Sequence, residues 1–443
     1  MPHFITSATL LVALFLFYAT PCESQESDAT NTTDAIHLDG QPRWYKGNLH
    51  THSLWSDGDE FPEMISDWYA SRDYNFLALT DHNLLSEGDR WMPLNKIIAR
   101  SDDGILQRYQ KRFGNHWVET RAADKRDKRD KRDESDESDE TDKRDETDKR
   151  EVRLKPLAEF RSLIEQRGQF ILIPAEEISD KFESKPIHIN ATNLAEKIDP
   201  QHGDSVRDTI QNNLRAIIEH EKKHGREVLP HLNHPNFGYA VTAEDIAAVS
   251  AERFFEVYNG HPGVNQLGDD KHPSIETMWD QINALRRTQL NIPPIMGLAT
   301  DDSHEYHGKA GSRPGRGWVM VRSRYLTPDH LIAAMKRGDF YASSGVTLSD
   351  VDYDAETKTL RIEIQSDRDA TFTTQFIGTT SHEGHTHIGV VLETVEGLIA
   401  TYQLTGDELY VRATITSSQP HHDPSFDDQM QQAWTQPVGW EKP

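Results

Sequence analysis

Short apolar runs in this chain keep ending in His, Asp or Glu, and that repetition constrains its fold more than any other feature. Gly47-Asn48-Leu49-His50-Thr51-His52-Ser53 comes first, with Ser56-Asp57-Gly58 just behind it. Phe76-Leu77-Ala78-Leu79 leads into Thr80-Asp81-His82-Asn83, and Phe170-Ile171-Leu172-Ile173-Pro174-Ala175 into Glu176-Glu177. Pro186-Ile187-His188, Val228-Leu229-Pro230-His231-Leu232-Asn233-His234 and Gly297-Leu298-Ala299-Thr300-Asp301-Asp302-Ser303-His304 complete the series. Each reads as a buried strand with ligand-type side chains at its carboxyl end. In a parallel α/β barrel those ends share one face. Imidazoles and carboxylates gathered there point to a cluster of divalent ions.

Spacing sharpens some positions and leaves others open. His50 and His52 lie two apart, so on an extended strand both point to the same side, as do Asp302 and His304. Glu176 and Glu177 cannot both face inward, and alternation alone does not choose between them. His231 and His234 pose the same question.

Charge and cysteine content narrow the partners. A formal net charge of −25 argues against duplex nucleic acid and against an anionic membrane surface, though not against an enzyme that grips one phosphate. The one cysteine, Cys22, permits no intramolecular disulfide and leaves only nitrogen and oxygen donors in the body of the chain.

The 443 residues suit a barrel plus a smaller module. Residues 1–22 read as a signal peptide around the apolar run Leu10–Tyr18, too short to span a bilayer and preceded by no Lys or Arg. The expectation is a secreted or periplasmic protein without a membrane span. Residues 23–43 form a polar linker expected to lack fixed structure. Residues 44–345 alternate strand-like and helical runs, with helices expected at Glu63–Arg72, Val206–His224 and Ile275–Leu290, and a fourth opened by Thr327-Pro328-Asp329. The Lys-Arg-Asp-rich segment 123–150 interrupts this pattern. Between Ala123 and Arg150 no apolar residue occurs, so it reads as a surface-loop insertion that buries nothing. Residues 346–443 alternate with period two, as in Leu360-Arg361-Ile362-Glu363-Ile364, and read as an antiparallel β module. A tail follows, in which His421 and His422 read as exposed.

Taken together, His50-Thr51-His52-Ser53, Ser56-Asp57-Gly58, Thr80-Asp81-His82-Asn83, Glu177-Ile178-Ser179 and Asp302-Ser303-His304 resemble the PHP (polymerase and histidinol phosphatase) superfamily. Phe255-Glu256-Val257-Tyr258-Asn259-Gly260 and the trailing β module are similar to its CehA/McbA-type metallohydrolase group. The resemblance implies an α/β fold, a distorted (β/α)7 barrel, holding two or three divalent ions (Zn, Mn or Fe). Carried over by position, it implies His50, His52, Asp57, His82, Glu177, His188, His234, Asp302 and His304 as metal ligands. Glu177 takes precedence over Glu176 because it precedes an Ile-Ser pair, and a bridging role is implied. His234 takes precedence over His231 because it precedes Pro235. Asp81, beside His82, and His231 remain as catalytic or substrate contacts. Ala175 stands where many members have glycine, and the charged insertion is unusual.

Nine such ligands suit ions that share a bridging carboxylate, so the expected reaction is hydrolysis by metal-bound hydroxide without a protein nucleophile. Small phosphate mono- or diesters are the substrate class implied, with a 5′-to-3′ exonuclease as a variant. The loop Gly308–Gly317 either clamps a phosphate through Arg313 or Arg316, or carries its glycines only for tight turns. Asn83 is a further expected substrate contact, with Asn233 and Asn259 behind it. One alternative is a carboxylic ester, carbamate or amide hydrolase with an apolar pocket from Trp55, Trp91 or Phe237. Another is a non-catalytic binding protein on a degenerate barrel, against which the full ligand set stands. No protein partner is indicated.

Overall fold

The computed structural model describes residues 40–122, 150–308, 310–365 and 369–440. The expected signal peptide, nearly all of the linker and residues 123–149 of the charged insertion lie outside them. The described chain from Gln41 onward is one compact unit.

One thirteen-stranded sheet organises that unit, within a mixed α/β architecture. Across the sheet the strands run Met296–Thr300, Phe254–Asn259, Leu229–Leu232, Lys185–Thr192, Ile171–Phe182, Phe76–Leu79 and Arg43–Asn48. Trp318–Ser323, Phe340–Ser343, Met430–Thr435, Glu408–Pro420, Phe372–His382 and His385–Glu396 follow. The first and seventh strands also meet, because residues just beyond them form a parallel bridge between Thr51 and Ser303.

The sheet corrects the all-parallel expectation. Parallel pairing holds for Arg43–Asn48 with Phe76–Leu79, for Phe76–Leu79 with Ile171–Phe182, and from Leu229–Leu232 through Phe254–Asn259 to Met296–Thr300. Lys185–Thr192 runs antiparallel to both of its neighbours. The reason is local: Phe182 pairs with Lys185 across the two-residue turn Glu183-Ser184, and so short a turn joins only antiparallel strands. Trp318–Ser323 is likewise antiparallel to Arg43–Asn48. As a result Glu177 and His188 lie inside strands rather than at strand ends. Residues 171–174 pair with Phe76–Leu79, and the strand then continues past that neighbour, which brings Glu177 level with His82.

Helices cover the sheet by burying one face each. Val206–His224 starts where the Ser205 side chain accepts from Asp208 N, stops at Gly225 (φ +61°), and buries Ile210, Leu214 and Ile217. Ile275–Leu285 is α-helical, but residues Arg286–Leu290, expected to continue it, form a π turn. Pro62–Ala70 and Pro328–Arg337 both have proline in the first turn, and Thr327 caps the second by accepting from His330 N. A small sheet of Arg90–Pro93, Arg150–Leu154 and Thr120–Ala122 pairs Ala122 with Arg150, so the two ends of the charged insertion are held together.

After Gly345 the strands are antiparallel: Leu348–Asp354, Thr359–Ile364 and Ile399–Gln403 form a sheet of their own, and the other four extend the large sheet. Phe340–Ser343 pairs with Met430–Thr435, and Trp434 joins the core that contains Tyr258 and Trp279. No described helix is long and apolar enough to cross a membrane.

Candidate metal centre

The nine expected ligand positions, just past four strands and inside two others, converge at one end of the sheet. His50 and His52 follow Arg43–Asn48, and both are fully buried. Asp57 is carried by the turn behind them, which folds back through Gly58 N on Ser53 O. A side chain at Gly58 would strike the His52 carbonyl, so the tight turn needs glycine there.

Glu177 is the pivot. Its Oε1 lies 3.4 Å from His50 Nε2, 3.0 Å from His188 Nδ1 and 3.4 Å from His234 Nε2. Its Oε2 lies 3.5 Å from His52 Nε2 and 2.6 Å from His82 Nδ1. Asp302 Oδ1 sits between the two sets, 3.1 Å from His50 Nε2 and 3.2 Å from His52 Nε2. Asp57 closes the second set, 3.4 Å from His82 Nε2 and 3.5 Å from His304 Nε2. The nine ligand positions expected from the motifs are therefore neighbours in space.

The donor set fits metal ions on two observations. The buried atoms His50 Nε2, His52 Nε2 and Glu177 Oε2 have no hydrogen-bond partner, an expensive condition unless something else satisfies them. Two ligands of one tetrahedral ion, each about 2.0–2.1 Å from it, lie roughly 3.4 Å apart. Most of the separations above cluster around that edge length. Four groups of three or four ligand atoms are compact enough to hold an ion: His52, Asp57, His82 and His304; His50, His52 and Glu177; His82, Glu177 and His188; and His50, His231 and Glu256.

The last group contains Glu256, a residue that the motif reading quoted only as part of a signature. Glu256 Oε1 lies 2.7 Å from His50 Nδ1, and its Oε2 accepts from His234 N and Asn259 Nδ2. A carboxylate on Nδ1 fixes the His50 tautomer and turns Nε2 toward Glu177 and Asp302. His231 is fully buried, 3.5 Å from Glu256 Oε1, and joins the cluster as a member of that group with His50 and Glu256.

Charges within the cluster bias protonation strongly. Burial disfavours the His50 cation, yet Asp302, Glu256 and Glu177 raise its pKa well above the usual imidazole range. Burial and the neighbouring His304 lower that of His52 to about 3. Burial opposes ionisation of Glu177, but His82, His188 and His50 hold its carboxyl well below the usual range. His82 is raised to about 11, since Glu177 and Asp57 outweigh its burial.

Four expected site residues have other partners. Asp81 accepts from Ser53 N and Oγ and from Ser56 N and Oγ, so its carboxylate braces the turn that carries Asp57. Asn83 bonds both the N–H and the carbonyl of Ser179 and fixes the Glu177 strand. Arg316 is buried and donates to Gly260 O and Gly311 O and to Asp423. Arg313 also pairs with Asp423, which leaves the two-arginine phosphate fork without its free guanidinium groups. His421, expected exposed, is buried with Nε2 on Arg316 O. Asn233 donates to Glu177 Oε1 at 2.7 Å, and Asn259 to Asp302 Oδ2 at 3.1 Å.

Three residues near the cluster escaped the motif reading or were given another role. His261 lies 5.7 Å from His304 between ring centroids, and its Nδ1 accepts from Gly263 N, which leaves the proton on Nε2. Phe237, 37% exposed, packs against His234 and His261. Asp301 accepts from Gly315, Arg316 and Gly317 N–H groups and from Tyr69 and Asn48, and so ties the 312–318 loop to the segment bearing Asp302.

No protein-family model and no curated protein sequence matches the chain. Among solved structures, a two-domain protein from Bacteroides vulgatus, described as containing a predicted PHP-like metal-dependent phosphoesterase, matches at 14% identity and a TM-score of 0.36. The match covers 90% of this chain and 96% of that one.

Proposed function

We propose that this chain is a metal-dependent hydrolase of the PHP type, acting on small phosphate esters. One observation carries the reading: the two oxygens of Glu177 face two separate sets of imidazoles, His50, His188 and His234 on one side and His52 and His82 on the other. These residues, together with Asp302, Asp57 and His304, would hold divalent ions. Divalent ions held there supply Lewis acidity and an activated water.

The chain's own groups do the remaining work. Glu256 orients His50, Asn233 and Asn259 hold the carboxylates of Glu177 and Asp302, and Asp81 fixes the turn of Asp57. The His261 Nε2–H is a neutral donor near the cluster, suited to a substrate oxygen. The preference for phosphate rests on the motif resemblance and no longer on an arginine fork. The resemblance also carries the finer readings, namely the CehA/McbA-type group, the (β/α)7 barrel and the exonuclease variant. Export from the cytoplasm rests on the apolar run Leu10–Tyr18 alone. A second reading, a carboxylic ester, carbamate or amide hydrolase, is favoured by the exposed ring of Phe237 beside His234 and His261.

Metal analysis of the purified chain, joined to a screen of p-nitrophenyl phosphate, its bis-ester, an aryl acetate and an aryl carbamate, tests this. Two or more ions per chain with phosphoester turnover lost in His52→Ala is the expected result. Turnover of the acetate or carbamate alone selects the second reading. Failure to take up Zn, Mn or Fe removes both.

A further inference from the structure

A cleft of about 700 Å³ between the helix Pro62–Ala70 and the 313–318 loop shares no lining residue with the metal-ligand cluster. Lys46, Trp68, Arg72, Tyr74, Arg313 and Trp318 form most of its walls. In a chain of net charge −25, three cations against the one carboxylate of Asp423 around this cleft are a local reversal of sign.

Lys46 is the unusual member. Its Nζ lies 4.0 Å from the centre of the Tyr74 ring and 3.9 Å from that of Trp318. Two ring faces offset part of the loss of water around an ammonium, but they leave its N–H groups without a lone pair to donate to. Among the described residues no carboxylate or carbonyl partners that ammonium. Burial draws its pKa down to about 8, against the pull of Asp301 and Asp73. The neighbouring Tyr74 hydroxyl is also buried without a hydrogen-bond partner.

The rest of the cleft complements this group. The Arg72 guanidinium stacks on Trp68 at 4.3 Å, and its Nη1 donates to Trp68 O and Ser71 Oγ. Arg313 donates through Nε to Asp423 on the opposite wall. The indole of Trp68 closes against Gly315, where an added Cβ would lie 3.0 Å from the ring.

We propose that this cleft is a binding site for a small oxyanion, phosphate or carboxylate, seated on the Lys46 ammonium beside Arg72. An unsaturated organic group on the ligand would lie against Trp68. The donors that lack acceptors are thereby satisfied, and the Arg72 guanidinium adds to the positive field.

Trp68 and Trp318 give the readout. The metal-loaded full chain is titrated with inorganic phosphate and, separately, with sodium benzoate while indole fluorescence is followed. A saturable change is expected with at least one anion. It should weaken at least tenfold in Lys46→Met and in Arg72→Gln, and stay within twofold in Asp57→Asn, which alters only the metal-ligand cluster. Response to phosphate alone assigns the free inorganic ion, and a tighter response to benzoate assigns an organic carboxylate. Arg72 is exposed on a helix end, so Arg72→Gln decides the matter if Lys46→Met does not fold. No saturable change with either anion overturns the proposal. So does a change that survives Arg72→Gln, or one abolished by Asp57→Asn.

Discussion

Glu256 shows what a single carboxylate does here and why the sequence conceals it. It accepts from Thr300 Oγ1, His234 N and Asn259 Nδ2 while lying 2.7 Å from His50 Nδ1, all without contact with water. Glu256→Gln keeps the shape but puts an amide donor where acceptors are needed. Metal affinity should fall by roughly 10–100-fold, read by competition with a chelator. The ligand-type residues themselves were legible, because His-x-His spacing, Thr-Asp-His and Asp-Ser-His need no knowledge of the fold. Glu256 was not, because Phe254–Asn259 is buried on both faces and gives no alternation to interpret. The available signal was a charge inside a run of large apolar residues, which must find partners or neutralise. Asp81, Asn83, Arg313 and Arg316 failed in the other direction. Their chemistry suits a site, but hydrogen bonds to serines, backbone groups and Asp423 already engage them, and no spacing rule reveals that.

At the scale of elements, helices were easier to read than strand direction. The cap and stop of Val206–His224 are local signals, and the Ser205 hydroxyl accepting from Asp208 N is one of them. Ser205→Ala should lower stability by about 1 kcal/mol in urea titration and leave metal content unchanged. Strand direction depended on the Glu183-Ser184 turn, which looks like any polar loop until its two-residue length is known. Glu252, between the helix Ala243–Ala248 and the strand Phe254–Asn259, is a further case. Its Oε1 accepts from Arg253 N and Phe254 N, its Oε2 has no partner, and burial pushes its pKa up from 4.5 to about 7. A raised pKa means that the folded state holds the proton more tightly than the unfolded chain does. Its stabilising effect is full below about pH 4.5, declines as pH rises to about 7, and is flat above that. Glu252→Gln should remove this slope and make the variant more stable than the parent at pH 8, by about 3 kcal/mol at most. Urea midpoints at pH 5, 6, 7 and 8 check it, and parallel profiles for variant and parent would refute it.

For the whole molecule, the composition change near Gly345 suggested a separable module, and the continuous sheet makes the two parts interdependent. Sequence patterning records which strands are antiparallel but not which earlier strand they join, since that pairing spans a long stretch of chain. The junction is chemical as well as geometric. Arg412, on the strand Glu408–Pro420, donates from Nε and Nη2 to the two oxygens of Asp280, on the helix Ile275–Leu285. Both side chains are almost fully buried, and Tyr410 OH donates to the same carboxylate. Burial alone would oppose both charges, so neither is tolerable without the other. Asp280→Ala should therefore destabilise the chain by roughly 3 kcal/mol, because it removes the two-point partner of the buried Arg412 guanidinium and leaves it only Glu276, 3.4 Å from Nη1. Replacing both, as Asp280→Leu with Arg412→Met, should recover most of that loss, since it removes the desolvated charge together with its partner. Urea unfolding of the single and double variants, followed at both the indole and the far-ultraviolet bands, separates the outcomes. A single cooperative transition shifted in Asp280→Ala is expected, because the C-terminal strands and the metal-binding end share one core through Trp434, Tyr258 and Trp279. Two resolved transitions in the parent protein would mean instead that the strands after Gly345 unfold on their own.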